Sequence, residues 1–363
     1  MVKASWLFKS VMVMLCLLAA CGEAPDGTTA AGIRRAAQKE AALRIYANTS
    51  LLEPLIADFH RKYPDITVSL EDMNSSFIAE RVVAEAEEGR LTADLVLSSA
   101  MDLQIKLIND GYAQSYRSPH RGAMPDGSVW REQGFGITAE PIVFAYNRRL
   151  LPPDAVPQSH AELLRLLDAR PELFVGRTTV YDAERSGVGL MHLSAEAQIY
   201  PDAWRLMEAL GRTRPRLDTS GQRMMGQLAS GQMAFVYNMN QSYGETWTVR
   251  SPDVALVTPS DYHLSVSRVG FIPRGAPHPN AARLFLDYLL SREGQRGIAD
   301  IGIRPVRDDV GDTVRPASPG VRPVRVGPGL LANLDRVRRE RLLDQWKRAM
   351  GDASRAPIDP NAP

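Results

Sequence analysis

Apolar positions in this chain recur with two periods, and the switches between them lay out a fold. Leu43-Arg44-Ile45-Tyr46-Ala47 alternates like a strand, after which Leu52, Leu55, Ile56, Phe59 and Tyr63 fall at helical spacing up to the stop at Pro64. Ile66-Thr67-Val68-Ser69-Leu70 predicts a second strand, and a helix runs from about Ile78 to Glu88 before Gly89. Leu95-Val96-Leu97 predicts a third strand, followed by a helix through Leu103, Ile105, Leu107 and Ile108. Strand and helix alternating at this spacing predict parallel strands with crossover helices, an α/β architecture.

The pattern from Gly134 to Asn147 is extended and broken only by Pro141, and a second α/β stretch begins after Pro152-Pro153. It predicts a helix near 159–168, a strand at 178–181, helices near 188–198, 202–210 and 220–230, and a strand at 233–237. Residues 254–257 and 265–272 again read as extended, with helices near 279–290 and 292–300. A Pro/Arg-rich loop (304–328) leads to a charged helix, about 330–350, with Leu331, Leu334, Val337, Leu342 and Trp346 at its apolar positions. Its Arg, Glu and Lys residues read as a solvated face.

The N-terminus follows neither period. Lys3 and Lys9 accompany the run from Val11 to Leu18, which is too short for a permanent span and reads as a secretion signal. Leu18-Ala19-Ala20-Cys21 is similar to a bacterial lipobox, in which Cys21 is the lipidation site and first mature residue. The only other cysteine, Cys16, leaves with the signal, so the mature chain has neither disulfide nor thiol chemistry. Residues 22–40, small and polar, read as a flexible tether between lipid anchor and folded body. The formal charge of +1 becomes −1 without Lys3 and Lys9, and neither value argues for nucleic acid as a partner.

Open parallel sheets gather ligands at the carboxyl ends of their strands, where helix N-termini present unpaired N–H groups. Asn48-Thr49-Ser50 follows the first strand and Ser98-Ser99-Ala100 the third, each joining small side chains to hydroxyl donors. In the second half, Arg185-Ser186-Gly187-Val188 runs from strand into helix and offers successive N–H groups beside a guanidinium, a seat for a phosphate or carboxylate. Thr219 and Ser220 open another helix, and the stretch from Asn238 to Tyr243 follows a strand with amides suited to a sugar or a carboxylate. Plain helix capping accounts for any one of these junctions taken alone.

The six histidines (60, 120, 160, 192, 263 and 278) show no paired spacing, so no metal site and no cofactor is indicated. No nucleophile elbow, phosphate-binding Walker loop or EF-hand loop occurs, and nothing nominates a catalytic residue.

Taken together, LRIYANTSLLEPLIADFHRKYPDITV, TADLVLSSAMDLQIKLINDGYA, YDAERSGVG and ASGQMAFVYNMNQSY resemble the extracellular solute-binding proteins of ABC importers with the type II periplasmic-binding fold. The branch is that of the ferric-ion-binding, hexose-phosphate-binding and phosphoglycerate-regulatory proteins, in lipoprotein form. The resemblance implies two α/β lobes, each a mostly parallel sheet flanked by helices, joined by two extended crossovers and closing on a solute. Lobe 1 is then expected over 41–143 and 259–325, lobe 2 over 144–258, a C-terminal helix packing on the lobes over 326–351, and a tail over 352–363. In ferric-binding relatives a Ser-Gly-Ala turn holds an anion beside the iron. Ser186-Gly187-Val188 is similar to it, Thr219 and Ser220 match an anion-facing segment, and Asn238 matches an asparagine preceding the paired iron tyrosines.

Met239 and Asn240 stand where those tyrosines would be, which weakens a ferric reading and leaves the anion seat. The expected ligand is a small organic anion, first of all phosphorylated (a sugar phosphate, phosphoglycerate or phosphonate) and second a di- or tricarboxylate, with ferric iron as a further alternative. The expected partner is an ABC permease, or a two-component sensor kinase if the protein senses rather than transports. The expected setting is periplasmic, as a lipid-anchored monomer.

Overall fold

The computed structural model describes residues 29–310 and 320–355. The signal segment, Cys21, the first part of the tether and the tail beyond residue 355 lie outside the described residues. Among those described, no helix is long and apolar enough to cross a membrane.

Most of the described part of the expected tether is a helix. Residues Ala30–Glu40 form α1, which Thr29 caps by accepting from the Gly32 N–H at 3.0 Å. Ile33 and Ala37, four residues apart, are buried on one face. At its end the Glu40 carboxylate accepts the N–H groups of Asn280 and Ala281, at the start of a later helix. Small polar composition thus conceals an amphipathic turn whose partner lies some 240 residues onward.

Strand β1 (Ala42–Ala47) leads through α2 (Glu53–Lys62) to β2 (Thr67–Asp72), then through α3 (Ser75–Glu87) to β3 (Leu95–Ser98) and α4 (Met101–Asn109). β1 pairs in parallel with both β2 and β3, as the βαβ spacing requires. The short strands β4 (Val129–Trp130) and β5 (Gly134–Gly136) extend this sheet antiparallel. The chain then crosses at residues 137–139 into β6 (Glu140–Asn147), the first strand of a second sheet.

In that sheet, α5 (His160–Ala169) precedes β7 (Thr178–Tyr181), α6 (Gly187–Ile199), α7 (Ala203–Arg212) and β8 (Arg216–Asp218). There follow α8 (Gly221–Ala229), β9 (Phe235–Asn240), α9 (Gln241–Arg250), β10 (Val254–Val257) and β11 (His263–Val266). Ser267 and Arg268 return the chain to the first sheet at β12 (Val269–Phe271), where α10 (Pro279–Leu290) and α11 (Arg292–Asp300) complete that half. Finally β13 (Val321–Pro323) rejoins the second sheet beside β11, ahead of α12 (Arg336–Met350).

Among the described residues the strand orders are β2-β1-β3-β12-β5-β4 and β13-β11-β6-β9-β7-β8, with β10 on β6. Both sheets are mixed: helix-linked strands run parallel, and the strands brought in by the crossovers run antiparallel to their neighbours. Hydrogen bonding therefore puts β11 and β13 with the second sheet, although the expectation keeps 259–325 with lobe 1. The two crossovers bind each other, Ile137 N–H to Arg268 O at 2.9 Å and Arg268 N–H to Thr138 Oγ1 at 2.8 Å.

Each lobe has its own apolar core. Phe59 packs edge-on against Phe285 in the first, and Phe144, Phe174, Phe235 and Trp346 fill the second. The C-terminal helix begins later than its pattern predicts. Residues 328–334 form a tight 3-10 segment against α4, Asp335 caps α12, and Leu343, Trp346 and Met350 are the buried face against α7, while Val337 is exposed.

Candidate functional site

A cavity of about 220 Å³ lies between the carboxyl ends of the two sets of parallel strands. The first lobe contributes Asn48 after β1, Asp72 to Ser75 across the β2–α3 junction, and Ser99 after β3. The second contributes Tyr181 at the end of β7, Val188 on α6, Thr219 to Arg223 at the β8–α8 junction, and Tyr243 on α9. Of the candidates read from sequence, Asn48, Ser99, Val188, Thr219, Ser220 and Tyr243 are brought together here.

Two helix N-termini, one from each lobe, open onto this space. Asn74 caps α3 by accepting from the Ser76 N–H at 2.9 Å, and Ser220 caps α8 by accepting from the Arg223 N–H at 3.3 Å. The other first-turn N–H groups have no acceptor within their own helices, and the helix dipoles put partial positive charge at both ends. The hydroxyls of Ser75, Ser99, Tyr181, Thr219 and Ser220 add donors that rotate to suit a guest.

The lining is held by direct bonds. Asn48 and Ser99 exchange two, from Nδ2 to Oγ at 2.9 Å and from the Ser99 N–H to Oδ1 at 3.1 Å. The Tyr243 hydroxyl donates to the Asn48 carbonyl at 2.8 Å and so ties α9 to the first lobe. Arg223 grips the buried Asp218 carboxylate with Nε at 2.8 Å and a terminal nitrogen at 2.7 Å. Behind the cavity the fully buried Arg268 lies 2.9 Å from Glu140, its guanidinium 5.5 Å from the centre of the Tyr243 ring and 3.4 Å from Asn48 Oδ1. Ser242 donates its hydroxyl to the same Glu140. This ion pair spans the two crossovers, so the hinge and the cavity wall share side chains. Partial desolvation in the cavity wall pushes the Asp72 carboxyl above the usual carboxylate range, although the residue keeps contact with solvent, and Arg268 and the Ser50 N–H pull the other way.

The remaining candidates lie elsewhere. Thr49 accepts from the Leu51 N–H at 3.1 Å and Ser98 from the Ala100 N–H at 3.1 Å, both as local turn bonds. The Ser50 side chain is half-buried and is not part of the lining. Ser186 spends its hydroxyl capping α6 on the Gly189 N–H at 3.1 Å. Gly187 presses on the first lobe, where a Cβ would meet Leu103 Cδ1 at 2.6 Å, Ser75 Oγ at 3.1 Å and Ala100 Cβ at 3.4 Å. These are contacts between lobes rather than cavity lining. Arg185 pairs with Asp182 at 3.1 Å. Asn238 turns away because β9 is bulged there: its φ is +54°, the register against β6 shifts, and its amide donates to buried Glu196 at 2.9 Å.

Asp72, Met73, Asn74, Ser75, Tyr181, Gly221, Gln222 and Arg223 join the lining without having been read from sequence. The rule applied after β1 and β3 reaches the first four of these as well. Ending the second strand at Leu70 hides them, whereas β2 continues to Asp72 and hands directly to the cap Asn74. Among the described residues, no three His, Cys, Asp or Glu side chains converge as a metal site would require.

Comparison with known proteins agrees with this geometry. None of the curated proteins matches the sequence significantly. The substrate-binding protein of an ABC transporter from Agrobacterium tumefaciens is 34% identical, over 85% of this chain and 94% of that one, with a TM-score of 0.80. AfuA from Actinobacillus pleuropneumoniae, with fructose-6-phosphate bound, is 19% identical over 85% and 98%, TM-score 0.69. Iron-bound HitA from Pseudomonas aeruginosa is 18% identical over 85% and 99%, TM-score 0.66; these last two show a shared fold. Residues 54–320 match the family of bacterial extracellular solute-binding proteins. With strand ends from two lobes meeting at one cavity and most of the chain matched, this protein belongs to the bacterial extracellular solute-binding family of ABC transporters, a transport family rather than an enzyme class.

Proposed function

We propose that the protein captures a small organic anion with a phosphate or phosphonate head, held from Cys21 by lipid at the cell envelope, and presents it to an inner-membrane ABC permease. One observation carries the ligand class: the N-termini of α3 and α8 face a single cavity from opposite lobes, ringed by six hydroxyl-bearing side chains. A tetrahedral head has enough acceptor oxygens to engage both helix ends at once. It therefore binds the closed arrangement better than either lobe alone, which is the condition for ligand-driven closure. The fructose-6-phosphate held by AfuA is a precedent in the same fold.

A thermal-shift screen of the untagged mature chain against organophosphates, phosphonates, di- and tricarboxylates and ferric salts tests the reading. Organophosphates or phosphonates should raise the melting temperature most, and a rise with ferric salts alone would refute it. Mass spectrometry of the membrane-extracted protein should show acyl chains on Cys21; a free mature N-terminus at another residue would remove the anchor.

A further inference from the structure

The charges around the cavity are unevenly satisfied. Arg223 is engaged by both oxygens of Asp218, and Arg268 by Glu140, so each cation near the cavity already faces a carboxylate of its own. Asp72 differs. It stands at the carboxyl end of β2, on the cavity wall and open to solvent, and its carboxylate takes a backbone hydrogen bond from Ser50. Among the described residues it has no side-chain hydrogen bond and no ion-pair partner; Arg268 acts on it only through space, and Glu53 repels it. The site's net formal charge is therefore that of one carboxylate, set against two helix ends worth roughly half a positive charge each.

Such a balance is poorly matched to a guest that is anionic throughout. A sugar phosphate brings up to two negative charges beside Asp72 and finds no cation without a carboxylate of its own. A guest with a positive group turns that repulsion into attraction, and an ammonium supplies three donors to a carboxylate with acceptor capacity to spare. The cavity, about 220 Å³, is also smaller than the usual range for larger organic ligands, which favours a compact molecule.

We propose that the solute is a compact zwitterion, its phosphonate or phosphate head between the N-termini of α3 and α8 and its primary ammonium on Asp72. This rests on the anion reading above and adds to it the positive pole. Asp72 becomes a specificity residue: it rewards an amine near the acidic head and penalises dianions without one. Tyr243 and Asn48, tied together across the lobes, close the space behind the two poles.

Calorimetric titration of the mature chain with aminoethylphosphonate, propylphosphonate (near the same shape, lacking the amine) and glycerol phosphate tests this, repeated with Asp72→Asn. Asp72 sits at the rim, so the variant should keep the native circular dichroism spectrum and melting temperature. Aminoethylphosphonate should bind the native chain roughly ten- to a hundredfold more tightly than propylphosphonate, the range of a charge-assisted hydrogen bond. Asp72→Asn should collapse that preference to within about threefold, weakening aminoethylphosphonate and, with the repulsion gone, tightening propylphosphonate. Equal binding of the two phosphonates, preference for glycerol phosphate, or a preference that survives Asp72→Asn would overturn the zwitterion and leave the anion seat standing. Failure of all three probes alongside binding of ferric ion alone would overturn both readings.

Discussion

Gly187 opens α6 where lobe 2 meets lobe 1, and replacing it separates closure from folding. Its φ lies outside the left-handed region, so a side chain there meets no backbone strain. In Gly187→Val the new Cβ would stand 2.6 Å from Leu103 Cδ1, 3.1 Å from Ser75 Oγ and 3.4 Å from Ala100 Cβ, and two further methyl groups must fit beyond it. Leu103 can swing its terminal methyl aside, but Ser75 in the first turn of α3 and Ala100 at the cap of α4 yield little. Overpacking of this kind costs about 1–3 kcal/mol. All three neighbours belong to the other lobe, so the cost falls only on the arrangement in which the lobes touch. Within lobe 2 the substitution removes chain freedom from the unfolded state and is worth roughly 0.4–1 kcal/mol in the opposite direction.

The melting temperature of unliganded Gly187→Val should therefore hold or rise slightly, while its affinity for the bound solute falls about 5- to 150-fold. Small-angle scattering should report a larger radius of gyration at saturating wild-type solute concentration. Affinity and radius both unchanged, or a lower melting temperature with unchanged affinity, would show that Gly187 serves packing within lobe 2 and not closure.

Three other perturbations test the frame around the site. Arg268→Met leaves Glu140 buried without its cation, a loss of about 3–5 kcal/mol in urea denaturation, much of which Glu140→Gln in the same chain should restore. Burial pushes the Asp102 carboxyl up to about 7, so between about pH 4 and pH 7 the folded chain keeps a proton that the unfolded chain releases. Stability must then fall as pH rises through that window, by roughly 4 kcal/mol at most, and Asp102→Asn should flatten the slope measured by denaturation at successive pH values. At Gly211 a Cβ would lie 1.8 Å from the Ala349 carbonyl oxygen, which is backbone and cannot swing aside. Gly211→Ala should lift α12 from α7, seen as faster hydrogen exchange over residues 336–350; exchange at the native rate would show that the helix pair can slide to make room.

Much of the architecture was legible because periodicity is a local property. The switch from alternation at Leu43–Ala47 to helical spacing at Leu52–Tyr63 sets β1 and α2 wherever they finally pack, and the same holds for β3 with α4 and β7 with α6. The site was half legible for the same reason. Polar junctions at strand ends nominate Asn48, Ser99, Thr219 and Ser220, because a helix N-terminus after a parallel strand is specified by neighbouring residues. Where a strand ends in charged residues, as at half-buried Glu71 and exposed Asp72, alternation fades and the junction behind it is missed.

By itself the sequence determined the α/β character, the order of strands and helices, and the family, since hydrophobic period and caps act over a few residues. Only the tertiary structure decided which junctions share a space. Ser186 and Ser220 read alike, yet one caps a helix pressed against the other lobe and the other lines the cavity. Asn238 and Asn48 are both amides near strand ends, yet a bulge in β9 turns the first toward Glu196 while the second meets Ser99. The physical reason is that the direction of a side chain, and the charge it meets there, depend on sheet register and lobe contact. Those are set by residues some 42 to 195 positions away in the chain.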